Sequence, residues 1–338
     1  MSDHVILLAP SSNRVYAGGA GPLVAAELAV LLQQRAEPPT VTQVEIAGVD
    51  YLQVEAPELD GDLRDAVSRL SALFAVFRRE DDRLAPRRVD PPDAFDDDLV
   101  TIPKYPGKTN EQFTRLLLNV TLASLTRAPG PRTVLDPLCG RGTTLSAGLT
   151  LGHEVAGVDA DLKAIEAYAA FLRTYLRRKR LKHTVEMSPV RREGKSIGRR
   201  LDVEVTPEGS DRRLRLTAFS GDTRQSAALF GKRTFDAVVA DAPYGIVHGS
   251  QSDVRGVSGQ RDRSPAGLIR EALPVWAGQL RSGGALGLSW NTYGLTREAL
   301  TALAVGAGLV PCDTGPYLRF GHRVDAAIYR DVFVAVKP

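Results

Sequence analysis

From about residue 101 onward the sequence predicts an α/β domain, a mostly parallel sheet with helices on both faces. Three observations predict it. Short apolar runs alternate with segments of three-to-four apolar spacing, the pattern of strands joined by crossover helices. Three of these runs lead to an acid within a few residues of a glycine, in Asp136-Pro137-Leu138-Cys139-Gly140-Arg141-Gly142-Thr143, Gly157-Val158-Asp159 and Ser220-Gly221-Asp222. A further apolar run, residues 235–240, opens into the turn Asp241-Ala242-Pro243-Tyr244-Gly245.

Taken in order, Thr133–Asp136 reads as a buried strand, residues 143–151 as a helix and Glu154–Asp159 as the next strand. Asp161 is placed to cap a helix in which Leu162, Ile165, Tyr168, Leu172 and Leu176 keep helical spacing. Residues 183–217 break the rhythm: 201–205 and 213–217 alternate like hairpin strands around Glu208-Gly209-Ser210, so a basic β insertion is expected there. Residues 215–219 also lead as a strand into Ser220-Gly221-Asp222. Pro265 suits the first turn of a helix. Gly283-Gly284 turns into a strand over 285–290, a helix covers 296–305, and a hairpin of 317–319 with 331–336 closes the domain.

Residues 1–95 read as a small α/β unit that precedes a domain over 96–338. A strand at 4–9, a helix at 22–34 with Leu23, Leu28, Leu31 and Leu32, strands at 40–46 and 50–55 around Ala47-Gly48, and a helix at 62–77 give the order β-α-β-β-α. That order resembles part of a ferredoxin-like domain. Residues 80–100, rich in Asp, Pro and Arg, read as the linker.

Of the 338 residues, 43% are hydrophobic and 25% charged, an ordinary globular balance. No apolar run approaches the roughly 20 residues of a membrane span. Met1-Ser2-Asp3-His4 has no basic region before a hydrophobic stretch, and the two cysteines, Cys139 and Cys312, make neither a disulfide framework nor a zinc site. A cytoplasmic setting and no metal are therefore expected. The net charge is only +3, but arginine and lysine crowd residues 173–215 and return at Arg255, Arg261 and Arg263, which suits a polyanionic partner.

The glycine turn after Asp136 is not a dinucleotide fingerprint, which needs three glycines, nor a phosphate loop, which needs Gly-Lys-Ser/Thr. S-adenosyl-L-methionine carries no phosphate; it needs an acid for its amino group and close glycine backbone. Asp136, Leu138, Cys139, Gly140, Gly142 and Thr143 fit that need. Asp159, with Ala160 beside it, is placed at the end of the second strand to accept from ribose hydroxyls. Asp222, followed by Thr223, is placed to accept from the adenine amine.

Asp241-Ala242-Pro243-Tyr244 resembles the Asp/Asn-Pro-Pro-Tyr turn of amino-methyltransferases, with Ala242 in place of the first proline. The chemistry explains the residue types. An exocyclic amine is a poor nucleophile because its lone pair is delocalised into the ring. The Asp241 carboxylate and the Ala242 carbonyl can accept from that amine, Pro243 biases Ala242 toward an extended shape, and Tyr244 can stack on a planar base.

Lys104-Tyr105-Pro106-Gly107-Lys108-Thr109-Asn110 ahead of a helix at 111–122, and Gly321-His322-Arg323-Val324-Asp325 with Arg330-Asp331-Val332-Phe333-Val334 near the end, complete a resemblance over about 101–338 to the tRNA guanosine-N2 methyltransferase group. That resemblance implies a Rossmann-like class I methyltransferase sheet, with an N-methylated guanine in tRNA as product. It implies Thr109, Asn110 and Phe113 as cofactor contacts, a helix-cap reading of Thr109 or Asn110 being equally open. It also implies Tyr244, Gly245, His322 and Arg323 near the substrate, although a plain surface turn at 322–323 stays open. Members usually carry an N-terminal RNA-binding THUMP domain, which residues 1–95 do not show; an RNA-binding or accessory unit is expected there. A DNA adenine or cytosine N-methyltransferase, and a non-catalytic nucleic-acid-binding protein on the same fold, are the alternatives.

Overall fold

The computed structural model describes residues 3–11, 14–126, 130–192, 195–243 and 265–338. Among the described residues the strands form two sheets. The first runs β2-β3-β1-β4-β5 and is antiparallel throughout. It is built from β1 (Asp3–Leu8), α1 (Arg14–Leu31), β2 (Val41–Ile46), β3 (Val49–Glu55), α2 (Gly61–Arg69), β4 (Leu73–Glu80) and β5 (Arg83–Arg87). Through β4 this is the complete β-α-β-β-α-β order of a ferredoxin-like unit. Ala47 and Gly48 both take positive φ, 52° and 78°, the left-handed pair of a tight two-residue hairpin.

Three features here depart from the expectations. The second helix stops at Arg69 instead of running to 77, because Leu70 turns extended and residues 73–80 pair along the open edge of β1. Residues 83–87, expected in the linker, pair with β4. The first helix starts eight residues before Pro22, and the proline lies inside it. Burial on two sides supports that helix. Val24, Leu28 and Leu32 pack on the first sheet, while Ala20, Leu23, Ala26 and Val30 join the core of the second. A helix apolar on both faces is a helix between layers. Each buried Leu or Val contributes about 1.5–3 kcal/mol to that junction.

The same junction holds a buried acid. Glu27 on α1 is fully covered, and its carboxylate accepts from Ser71 N (3.1 Å), Ser71 Oγ (2.6 Å) and Asn119 Nδ2 (2.7 Å). Burial lifts this carboxyl to about 7. The acid-rich stretch after β5 is also tied down. Asp93 pairs with Arg115, Asp96 and Asp98 with Lys179, and Ala94 N donates to Thr150 O.

The second sheet runs β13-β15-β12-β11-β6-β7-β10-β9-β8, with β14 (His322–Arg323) on β15. After α3 (Asp98–Thr101) and α4 (Glu111–Ala123) come β6 (Thr133–Asp136), α5 (Thr143–Thr150), β7 (Glu154–Asp159) and α6 (Leu162–Arg178). The hairpin β8 (Lys182–Arg192) and β9 (Lys195–Thr206) follows, then β10 (Leu214–Ser220), α7 (Ser226–Phe230) and β11 (Phe235–Asp241). The chain closes with α8 (Pro265–Gln279), β12 (Leu280–Asn291), α9 (Arg297–Gly306), β13 (Val310–Pro311) and β15 (Tyr329–Val336). The strands β10, β7, β6, β11 and β12 are mutually parallel, and β15 enters antiparallel.

The inserted hairpin is β8 with β9, and β9 pairs antiparallel with β10, itself a strand of the parallel set. Residues 317–319, expected as a hairpin strand, lie in or just after the short 3-10 turn Gly315–Leu318; β15 pairs instead with His322–Arg323, β12 and β13. From β6 the chain winds outward through β7 and β10, then restarts at β11 and winds the other way through β12. The carboxyl ends of β6 and β11 therefore flank the switch point, where open α/β sheets bind ligands.

Candidate active site

Asp136 closes β6, and its Oδ1 accepts from Leu138 N at 2.9 Å, folding the chain into the glycine turn. Cys139 N donates to Val158 O (3.0 Å) and Gly140 N to Asp159 Oδ2 (2.8 Å), so the turn is stitched to β7. Gly142 is the position where glycine is required. Its φ is 80°, and a Cβ there would stand 2.4 Å from the buried Tyr168 ring. Thr143 opens α5, and its hydroxyl shares a 2.5 Å hydrogen bond with Tyr105 Oη, with the Arg141 guanidinium 5.2 Å over the Tyr105 ring.

Asp136 is 2% exposed. Burial pushes its carboxyl up to about 7, and the negative charges of Asp159 and Asp241 add to the rise. Burial likewise raises Asp159. Three acids converging on strand ends hold a negative potential that favours a cation or a proton.

Asp241 ends β11, beside β6. Thr109 Oγ1 donates to Asp241 Oδ2 at 2.5 Å, although the two are 132 residues apart in sequence. Thr109 is placed by the next residue, since Asn110 caps α4 through Oδ1 to Phe113 N at 2.9 Å. Asn110 Nδ2 also donates to Ser11 of the first unit at 2.8 Å. Ala242 is 1% exposed, and its N–H donates to Ser289 O at 2.8 Å. A proline could not donate that bond.

A cavity of about 460 Å³ gathers these groups. Of the residues expected from sequence, Asp136, Leu138, Cys139, Gly140, Thr143, Thr109, Asn110, Asp241, Ala242, Pro243 and His322 line it. Asp159 supports the loop from behind, as does Gly142. Phe113 is buried beneath the wall, its ring centroid 5.4 Å from that of His322 and 4.5 Å from the Arg330 guanidinium. Burial first, and Arg330 after it, holds the His322 imidazole below its ordinary range.

Other expected residues are placed elsewhere. Ala160 is exposed and Arg323 stands outside the lining. Asp222 caps its own turn at Arg224 N and forms a two-pronged pair with the Arg224 guanidinium. Thr223 Oγ1 accepts from Trp276 Nε1 at 2.9 Å. Tyr244, Gly245, Arg255, Arg261 and Arg263 lie outside the described residues. In the inserted hairpin Arg199 pairs with Glu166 and Arg200 with Asp202, and Arg213, just before β10, pairs with Glu204 of β9, so part of that basic charge is met locally.

Tyr105, Arg141 and Arg330 also line the cavity, and sequence reasoning assigned none of them a role. Tyr105 and Arg330 sit inside motifs read for other residues, and the Arg330 guanidinium lies over the Phe113 ring of α4. Lys108, another lining cation, is occupied by the carbonyls of Val100 and Pro103 and by Glu111. Among the described residues there is no group of three or more His, Cys, Asp and Glu able to hold a metal ion. Among them, too, no helix is long and apolar enough to cross a membrane.

The sheet order, with its parallel centre and antiparallel β15, and the acid-glycine turn at the switch point define the class: a Rossmann-like class I methyltransferase fold. No family model matches the chain, and no curated protein matches it. Solved structures similar to it include TrmN from Thermus thermophilus, at 15% identity and TM-score 0.48, covering 100% of each chain. Another is the T. thermophilus 16S rRNA methyltransferase RsmC in complex with AdoMet and guanosine, at 19% identity and TM-score 0.37, covering 90% of this chain and 60% of that one. TehB from Haemophilus influenzae matches at 11% identity and TM-score 0.36, over 62% of this chain and 58% of its own. The chain thus spans less than two thirds of the last two.

Proposed function

We propose that this chain is an S-adenosyl-L-methionine-dependent N-methyltransferase acting on an exocyclic amine of an RNA base, with guanine N2 in tRNA as the specific reading. The observation that carries it is the meeting of Asp136 and Asp241 in one cavity at the switch point of the sheet. The donor set fits the cofactor. The Asp136 and Asp241 carboxyls at the strand ends suit a ligand with an ammonium and a sulfonium.

S-adenosyl-L-methionine supplies an electrophilic methyl group when bound. In this reading Asp136 holds its amino group, the Gly140–Gly142 backbone lets it approach, and Asp159 holds that turn in place through Gly140 N. Asp241, held by Thr109, and the Ala242 carbonyl accept from the substrate amine and aim its lone pair. Tyr244 stacks on the base and fixes its angle, so that positioning and electrostatics supply most of the acceleration. An edge-on approach to the amine requires the base to be unpaired or flipped out. Residues 1–95 serve as an accessory RNA-binding unit. The test is to incubate the protein with methyl-labelled cofactor and separate pools of tRNA, rRNA and DNA, then digest to nucleosides for mass spectrometry. N2-methylguanosine from tRNA supports the reading; label only in DNA, or none at all, overturns it.

A further inference from the structure

Two tyrosines stand exposed at the rim of the second sheet. Tyr293 is 62% exposed and Tyr329 38%. Their ring centroids are 6.4 Å apart and their planes are inclined by 41°. Single exposed aromatics are ordinary; a pair on a braced backbone is less so. Asn291, the last residue of β12, braces this one. Its Oδ1 accepts from Tyr293 N at 3.3 Å and Tyr329 N at 3.2 Å, and its Nδ2 donates to Ala327 O at 3.0 Å. Thr292 donates to Tyr329 O through both N (2.9 Å) and Oγ1 (3.2 Å). The Tyr329 ring lies over Gly321, where a Cβ would come within 3.0 Å of its hydroxyl. The Tyr329 ring is thus backed by Gly321, and the Tyr293 ring, on its braced backbone, leans against Tyr329.

The place is informative. Ile328 and Arg330 line the proposed catalytic cavity. Strand alternation puts Tyr329 on the opposite face of the β14–β15 ribbon, together with Arg323, its partner in register. One ribbon is therefore the wall of the cavity on one side and an aromatic ledge with a cation on the other.

We infer that Tyr293 and Tyr329 form a stacking ledge for an unpaired RNA base next to the one held in the cavity. The inference rests on the RNA reading of that cavity. Every base has a π-face, so aromatic ledges bind single strands without reading sequence, and a pre-braced ledge loses little freedom on binding. Arg323 places positive charge where the strand's phosphates would cross the ribbon.

The test uses the whole chain and a short fluorescein-labelled single-stranded oligoribonucleotide, read by anisotropy, beside KM for total tRNA and calorimetric affinity for S-adenosyl-L-methionine. Tyr293→Ala and Tyr329→Ala should each weaken oligoribonucleotide binding by about tenfold and raise KM, leaving cofactor affinity as it was. Tyr293→Phe and Tyr329→Phe, which keep the ring, should stay near wild type. Alanine variants that bind like wild type, or phenylalanine variants as weak as alanine ones, overturn the ledge. Ring-dependent binding by a protein that transfers no methyl would sink the methylation reading and leave the ledge standing.

Discussion

Thr109 Oγ1 donates to Asp241 Oδ2 at 2.5 Å, joining the segment before α4 to the turn after β11. That bond fixes one carboxylate oxygen and with it the orientation of the group proposed to meet the substrate amine. Thr109→Val keeps the shape and deletes the donor. Methyl transfer should fall about tenfold to a hundredfold in kcat, the cost of one charge-assisted hydrogen bond, while cofactor affinity changes little. Thr109→Ser should restore most of the rate. A valine variant that weakens cofactor binding at unchanged kcat would instead make Thr109 a cofactor contact.

The raised Asp136 carboxyl sets a pH dependence. A proton on it competes with a cationic ligand. Affinity for S-adenosyl-L-methionine should therefore rise with pH through the neighbourhood of 7, the value to which burial lifts this group. Calorimetry from about pH 6 to about pH 8, roughly one unit on either side of that value, reads it. Asp136→Asn should bind weakly and flatly; a wild-type profile with no slope there would show that Asp136 does not meet the cation.

Ala242→Pro restores the residue usual in the resembling motif and should nonetheless destabilise. It removes the 2.8 Å bond from Ala242 N and leaves the carbonyl of fully buried Ser289 without that donor. The expected loss is about 1–3 kcal/mol in denaturant unfolding. Stability equal to wild type would mean the bond carries no weight.

Glu27 makes the junction of the two sheets pH-sensitive. Its folded carboxyl is raised to about 7 from an ordinary 4.5, so the folded state holds a proton that the unfolded state has lost between those values. Stability should fall as pH rises across that window, by up to about 3 kcal/mol at roughly 1.4 kcal/mol per unit. Glu27→Gln should make that part of the profile shallower, the raised Asp136 carboxyl keeping a slope of the same sign. Parallel profiles for the variant and wild type would remove Glu27 as the cause.

Much of the large sheet was legible in the sequence. Thr133–Asp136 and Glu154–Asp159 were read with the bounds they have, because buried parallel strands are unbroken apolar runs that stop at an acid or glycine. The first unit was read less well. Residues 73–80 continue the apolar spacing of α2, and only the open edge of β1 makes them a strand.

By itself the sequence determined which residues could do chemistry: the acids at strand ends, the glycines that admit a ligand, the turn at Asp241. Local pattern suffices for these because each is a property of a short segment. The tertiary structure alone decided their company. It set Thr109 on Asp241, gave Asp222 to Arg224, turned Arg330 into the cavity and laid Tyr293 beside Tyr329. Such pairings depend on where strands fall in the sheet, and periodicity along a chain carries no information about its neighbours across it.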